Sequence, residues 1–384
     1  MKTRFILVNG PWQLLYVASV LKQISKRSGS GWQDDVIFVS PHSGSPLSPV
    51  TLAAMERIAP LVWRRILTLP DVTDAELLDL EGSKSALRSQ LGPETPDELW
   101  LECLWGMRQK VAAETYLKSN LVLYEEGLQT YMPAEDYPFS AKLCLTKPRR
   151  AYRGLKLRIR ERRNPTNLGM VTMLPRHLKR VTASYLWVSL TMPPAEFQKR
   201  LPWVQVQTRY LHETFDQVSP LIDEMNISLG DDGRKRAVIV GQCFSNYGDL
   251  TRDTEIGCYI EIAEKLQEMG YEPIWKEHPR TRDPFLDDMV AALPGLRAFP
   301  EIGPWPIELF VKRLNLCACA GLISTSMYTI PLLFGHPSYS LASRYTTTFR
   351  FPNNVLARMV SEWIPQLDDP AVLASANLTR ASIS

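Results

Sequence analysis

The 384-residue chain contains no uninterrupted apolar run of the roughly 18 residues a membrane-spanning helix needs, so any contact with a bilayer is expected at its surface. It also lacks a Cys-x-x-Cys pair and any paired histidine spacing of a zinc site. Its six cysteines, Cys103, Cys144, Cys243, Cys258, Cys317 and Cys319, therefore read as reduced core residues of a cytoplasmic protein. No Asp-x-Asp occurs, so a divalent-metal clamp on a diphosphate has no obvious ligands. Short-period repeats and low-complexity tracts are missing as well. Lys2 and Arg4 ahead of Phe5–Val8 imitate the start of a secretory signal, but Asn9-Gly10-Pro11 breaks the run and no small-residue cleavage site follows. The expected location is the cytoplasm, with the inner-membrane surface as the place for any peripheral attachment.

What remains is an ordinary globular composition, 45% hydrophobic and 22% charged, in a length that favours two domains. Apolar strands alternate with helical patterns. Phe5–Val8 is followed by a helix from Trp12, Val36–Val39 by a helix near 49–58, and Asn120–Tyr124 closes the first half. A helical pattern over 201–225 leads to the turn formers Ser228-Leu-Gly-Asp-Asp-Gly233, the expected linker. The pattern then begins again, with a strand at Ala237–Val240, a helix near 255–269 and a strand ending at His278. A helix near 285–292, a helix start at Pro306-Ile307-Glu308, a strand at Leu314–Ala320 and a helix opened by Ser324-Thr325-Ser326 complete it. Two successive α/β halves predict two doubly wound, Rossmann-like domains, 1–228 and 229–384, facing each other across a cleft.

Charge is distributed unevenly. The net charge is only +3, yet residues 147–180 carry twelve Lys or Arg against the single acid Glu161. Such a field draws an anionic partner, either a polyanionic glycan or an anionic membrane surface. Tyr152 is the sole aromatic there, so base stacking has no support and nucleic acid is not an expected partner.

Three groups of chemically capable residues fall just past candidate strand ends, where open α/β sheets bind ligands. Glu125-Glu126-Gly127 offers a general base. His278-Pro279, among Lys276, Arg280 and Arg282, suits an anion, and Ser324-Thr325 offers hydroxyls and helix-start amides to a phosphate. Taken singly, each also fits a solvated turn.

The patterns Gly10-Pro11-Trp12-Gln13-Leu14-Leu15, Glu125-Glu126-Gly127, Lys276-Glu277-His278-Pro279-Arg280, Pro306-Ile307-Glu308 and Ser324-Thr325, in this order, resemble those of bacterial sialyltransferases of the capsule polysialyltransferase and lipooligosaccharide sialyltransferase type. The resemblance implies a GT-B glycosyltransferase with an acceptor half at 1–228 and a donor half at 229–384. It would transfer sialic acid from CMP-sialic acid to a glycan in one inverting displacement without a metal. On that resemblance Glu125 or Glu126 is the base, with Glu125 preferred, and His278 is the acid or cation at the CMP phosphate. Glu308 takes the ribose, Ser324 and Thr325 the phosphate, and Gly241, Gln242, Lys276 and Pro279 line the nucleotide site. Gln13, Gly127 and Arg280 fall to the sugar and acceptor. Competing expectations are a CMP-Kdo or other CMP-nonulosonate transferase of capsule or lipopolysaccharide synthesis, and a non-catalytic glycan-binding protein of the same fold.

Reversing the charge of Arg158, Arg160 and Arg162 together is expected to weaken binding to anionic vesicles or to long polyanionic acceptors. Unchanged binding of both in sedimentation and affinity measurements marks the segment as a merely solvated face.

Overall fold

In the computed structural model, residues 2–28, 32–38, 48–62, 65–69, 79–92, 94–102, 107–125, 127–131, 177, 179–187, 202–281, 284–350 and 353–372 are described. The chain divides into two units, Met1–Val218 and Ser219–Ser384. The division falls within the helix Thr208–Asp223, and the turn-rich 228–233 stretch lies just beyond that helix.

Unit 1 runs β1 (Lys2–Val8), α1 (Pro11–Ser28), β2 (Trp32–Phe38), α2 (Pro49–Val62), β3 (Arg65–Thr68), α3 (Leu80–Leu91), β4 (Glu98–Leu101), α4 (Met107–Thr115), β5 (Asn120–Tyr124), β6 (Val181–Leu186) and β7 (Trp203–Gln205), with α5 (Thr208–Asp223) crossing its boundary. The strands form one parallel sheet in the order β3-β2-β1-β4-β5-β6-β7. Continuous apolar runs explain the parallel arrangement, because both faces of β1 and β5 are covered. Phe5, Leu7, Leu99, Leu101, Leu121 and Leu123 share a core with Leu91 of α3 and Ala112 and Ala113 of α4. Strand alternation turns the intervening residues to the other face, where Tyr124 meets Tyr16 of α1 with ring centroids 6.5 Å apart. Helix α1 begins where Pro11 supplies a helical φ without an orphan N–H, and Leu14 N–H donates to Gly10 O at 3.1 Å.

One expectation needs correction. The helix predicted over 201–225 starts only at Thr208, because Trp203–Gln205 joins β6 as an edge strand. Val204 and Val206 alternate with Gln205 and Gln207 there, a period of two that outweighs the helical reading.

Unit 2 contains β8 (Arg236–Val240), α6 (Arg252–Glu268), β9 (Glu272–Lys276), α7 (Leu286–Ala292), β10 (Arg297–Ala298), β11 (Leu316–Gly321), α8 (Ser326–Phe334), β12 (Ser338–Ser340) and α9 (Asn353–Trp363). Its sheet is again parallel, in the order β10-β9-β8-β11-β12. The helix start expected at Pro306 is a single 3-10 turn, Ile307–Leu309, closed by Leu309 N–H to Pro306 O and Phe310 N–H to Ile307 O. Pro331 does not break α8. It stands late in the helix, which ends at Gly335 (φ 71°), whose N–H returns to Pro331 O.

Each sheet has a point where the strand order reverses, between β1 and β4 in unit 1 and between β8 and β11 in unit 2. At the second, the chain leaves β8 through Gly241, where a Cβ would lie 2.8 Å from Trp275 Cη2 and 3.1 Å from Lys276 O. No larger residue fits that approach. Gly241→Ala is expected to cost about 1–3 kcal/mol in stability, the usual range for overpacking, measured as a lowered denaturation midpoint of the full chain.

Candidate functional site

The sequence-predicted residues of unit 1 sit at the C-terminal edge of its sheet. Glu125 follows β5 directly, is fully buried and continues the ladder, its N–H donating to Tyr185 O at 3.1 Å. Its Oε2 accepts the Trp187 N–H at 2.7 Å and the Tyr131 hydroxyl. Both donors stabilise the charged carboxylate and fix its orientation. Glu125 in turn adds to the burial that pushes the Tyr16 hydroxyl well above its usual range. Gly127 takes φ 138° and opens the turn 128–131, with Thr130 N–H bonded to Gly127 O. Gln13 lies in the first turn of α1, its Oε1 2.9 Å from where a Cβ on Gly10 would stand. Beside it Trp12 packs on Trp187, with ring centroids 6.2 Å apart. Glu126 lies outside the described residues.

Unit 2 brings its predicted residues together more tightly. β9 ends at Lys276, and the chain turns over His278-Pro279-Arg280-Thr281, closed by Thr281 N–H to His278 O at 3.1 Å. Proline at the second position sets the φ that such a turn needs. Within the turn, Arg280 N–H donates to His278 Nδ1 at 3.2 Å, and Cys243 Sγ approaches the same nitrogen at 3.5 Å. Nδ1 is thereby an acceptor, so the ring is neutral and its proton sits on Nε2. Close surrounding protein, with Arg280 and Lys276 adding repulsion, holds the imidazole well below its ordinary pKa.

Lys276 is buried, donating to Glu277 O at 3.2 Å and Gly303 O at 3.1 Å. Burial brings its pKa down to about 8, against the pull of Glu308 and Glu277. Glu308, also buried, accepts the Thr329 hydroxyl of α8. Gly241 N–H donates to Lys276 O at 2.9 Å, tying the end of β8 to the end of β9. Across the reversal point Ser324 Oγ accepts Ser326 N–H at 3.3 Å, while Thr325 caps α8 without a side-chain capping bond. Gly241, Gln242, Lys276, His278, Pro279, Arg280, Glu308, Ser324 and Thr325 thus belong to one edge of one unit.

A family model for alpha-2,8-polysialyltransferase (POLYST) matches residues 4–343. The chain belongs to the alpha-2,8-polysialyltransferase family. This makes it an enzyme of sialyl transfer, in keeping with the order of its motifs. The fold is GT-B-like. The GT-B domain of a sialyltransferase from Photobacterium damselae (residues 113–497) is similar at TM-score 0.51 and 11% identity, over 94% of this chain and 96% of that one. A UDP-GlcNAc 2-epimerase from Methanocaldococcus jannaschii, solved with UDP-GlcNAc and UDP, is similar at TM-score 0.53 and 11% identity, over 89% and 84%. No curated protein matches the chain.

Some parts of this polysialyltransferase-family chain escaped sequence reasoning. Glu255 and Tyr259, buried in α6, hold the loop after β8, and Trp187 and Tyr131 hold Glu125. An acid and a tyrosine at i, i+4 on the apolar stripe of Cys258, Ile262 and Leu266 was the available signal. Of the basic 147–180 segment, only His177, Lys179 and Arg180 are described. Arg180 is not a free cation for a ligand, since it donates to Ala113 O, Tyr116 O and Ser119 O at the end of α4. His177 is buried against Glu114 at 2.6 Å. Arg282 and the remaining cations of the segment lie outside the described residues. Among the described residues no helix is long and apolar enough to cross a membrane.

The His278 geometry has a pH consequence. A histidine pKa lowered by folding means that the unfolded chain binds the extra proton first, so stability falls as pH drops below about 6.5. Wild type is expected to lose more stability than His278→Gln between about pH 6.5 and pH 5. Imidazole nitrogen NMR should show an Nε2–H ring that stays neutral through pH 6.

Proposed function

We propose that this enzyme transfers a sialyl residue from CMP-sialic acid to a hydroxyl of a sialylated glycan, in a single inverting displacement that needs no metal. The observation that carries the reading is the His278–Thr281 turn, which leaves Nε2–H as the imidazole donor at the ligand-binding edge of unit 2. A nucleoside monophosphate departs as a stable anion, so a neutral N–H donor beside buried Lys276 is sufficient to receive it. When the phosphate arrives, its charge offsets the repulsion from Lys276 and Arg280, and the ring gains proton affinity. Ser324 and Thr325 at the start of α8 contact the same phosphate, and Glu308 the ribose hydroxyls. Gly241, Gln242 and Pro279 line the nucleotide, while Arg280, Gln13 and Gly127 serve the sugar and acceptor.

The base comes from the Glu125-Glu126 pair. It removes the acceptor proton as the hydroxyl oxygen bonds to the anomeric carbon, and the bond to the CMP oxygen breaks with its electron pair going to phosphate. The family match supports reading an α2,8-linked sialic acid polymer as the product class. The cations of the 147–180 segment other than Arg180 are proposed to hold that polyanion or the membrane on which capsule or lipooligosaccharide grows. The absence of any Asp-x-Asp supports metal independence.

His278→Ala is expected to lower CMP-release turnover by about two to four orders of magnitude, and so is the Glu→Gln change at whichever of Glu125 and Glu126 is the base. Turnover near wild type in all three variants overturns the mechanism. Activity abolished by EDTA and restored by a divalent ion overturns metal independence.

A further inference from the structure

In a doubly wound unit the turn after the first central strand commonly receives a phosphate on its backbone amides. In unit 2 that turn runs from Gly241 to Leu250, between β8 and α6, and the amides of Gly241, Gln242, Phe244 and Ser245 are already engaged. Gly241 N–H is held by Lys276 O. Phe244 N–H and Ser245 N–H donate to the two oxygens of Glu255 at 3.1 and 2.7 Å. Gln242 N–H donates to the Tyr259 hydroxyl at 2.8 Å, and that hydroxyl donates on to Glu255 Oε1 at 3.1 Å. The start of α6 is closed by its own cap, Thr251 Oγ1 accepting Thr254 N–H.

Glu255 is fully buried and acts only as an acceptor, as a phosphate oxygen would. Burial, then Glu255 itself, pushes the Tyr259 hydroxyl well above its usual range, so it remains a donor. The turn is also braced from outside. Phe244 packs on Phe349 with centroids 4.7 Å apart, and Asp249 accepts Arg350 N–H at 2.8 Å and Asn353 Nδ2–H at 2.7 Å. Swinging the amides toward a ligand would break these contacts and bring a second anion beside an unsolvated carboxylate.

We infer that Glu255 is a specificity-determining residue, a resident anion in the amide-lined turn after β8 that limits the bound nucleotide to a single phosphate. The inference rests on the CMP-donor assignment above. It explains how a fold that also serves a UDP-binding epimerase is restricted here without any residue touching the second phosphate.

The test is calorimetric binding of CMP and of CDP to the full chain at fixed ionic strength and without added metal. Wild type is expected to bind CDP no more tightly than CMP. In Glu255→Gln, which removes the resident charge, the CDP-to-CMP affinity ratio is expected to rise about tenfold. Tyr259→Phe keeps the ring against Trp275 and releases the Gln242 N–H, and it should move the ratio the same way by about two- to threefold even where Glu255→Gln fails to fold. CDP binding ten times or more tighter than CMP in wild type overturns the inference and leaves the donor assignment standing. Binding of neither nucleotide overturns both. A ratio unmoved in the folded variants overturns the role of Glu255.

Discussion

Parallel strand pairing is the constraint on which the rest of the molecule depends. Every pair of neighbouring strands in each sheet is parallel, so within each unit all the carboxyl ends open on one edge. Residues far apart in sequence are thereby delivered to one place without any contact between them being designed. In unit 2 that edge collects the ends of β8, β9 and β11, and with them Gly241, Lys276-Glu277-His278 and the Ser324-Thr325 start of α8. In unit 1 it collects the ends of β1, β5 and β6, where Trp187 meets Glu125 and Trp12. Side-chain chemistry is then supplied by the residues that directly follow those strand ends.

Local chemistry decided what was legible from sequence. His278-Pro279 could be read as an ordered turn because its determinants are adjacent: a proline that fixes φ and an imidazole able to accept from the amide two residues on. The strands β1, β5, β8 and β9 declared themselves as apolar runs between turn formers. β4, at Glu98–Leu101, and the edge strand Trp203–Gln205 did not, since each is short and owes its conformation to the neighbour it pairs with. Glu308 was recognisable by its motif, although the helix expected around it is one 3-10 turn. Glu255 showed only as an acid on an apolar helix stripe, and its role was illegible because it lies in amides ten and eleven residues earlier that only the fold places against it.

The electrostatics of unit 2 centre on a buried lysine at the end of β9. Lys276 is stripped of water and satisfied by two carbonyls, while burial first, and then repulsion from Arg280 and Lys276, hold the nearby imidazole well below its ordinary pKa. The acids close by serve other partners. Glu277 accepts Phe285 N–H and the Trp275 indole N–H, and Glu308 accepts Thr329. Burial pushes the Glu277 carboxyl upward, and Glu308 and Glu277 both pull the Lys276 pKa up against its own burial.

The strand order also dictates a schedule for the ribosome. β1 is made before the other strands of its sheet and lies in that sheet's interior, but its partner β4 is paired through Arg4 and Glu98, which are 94 residues apart. At roughly 5–20 residues per second, one edge of β1 is without its neighbour for about 5 to 20 s. The second sheet repeats the problem, since β8 gains β9 early and β11 only after residue 321. Closing each central edge across so long a loop is entropically slow. The topology that gathers the candidate site is therefore also one that leaves the nascent chain exposed to pairing with the wrong strand.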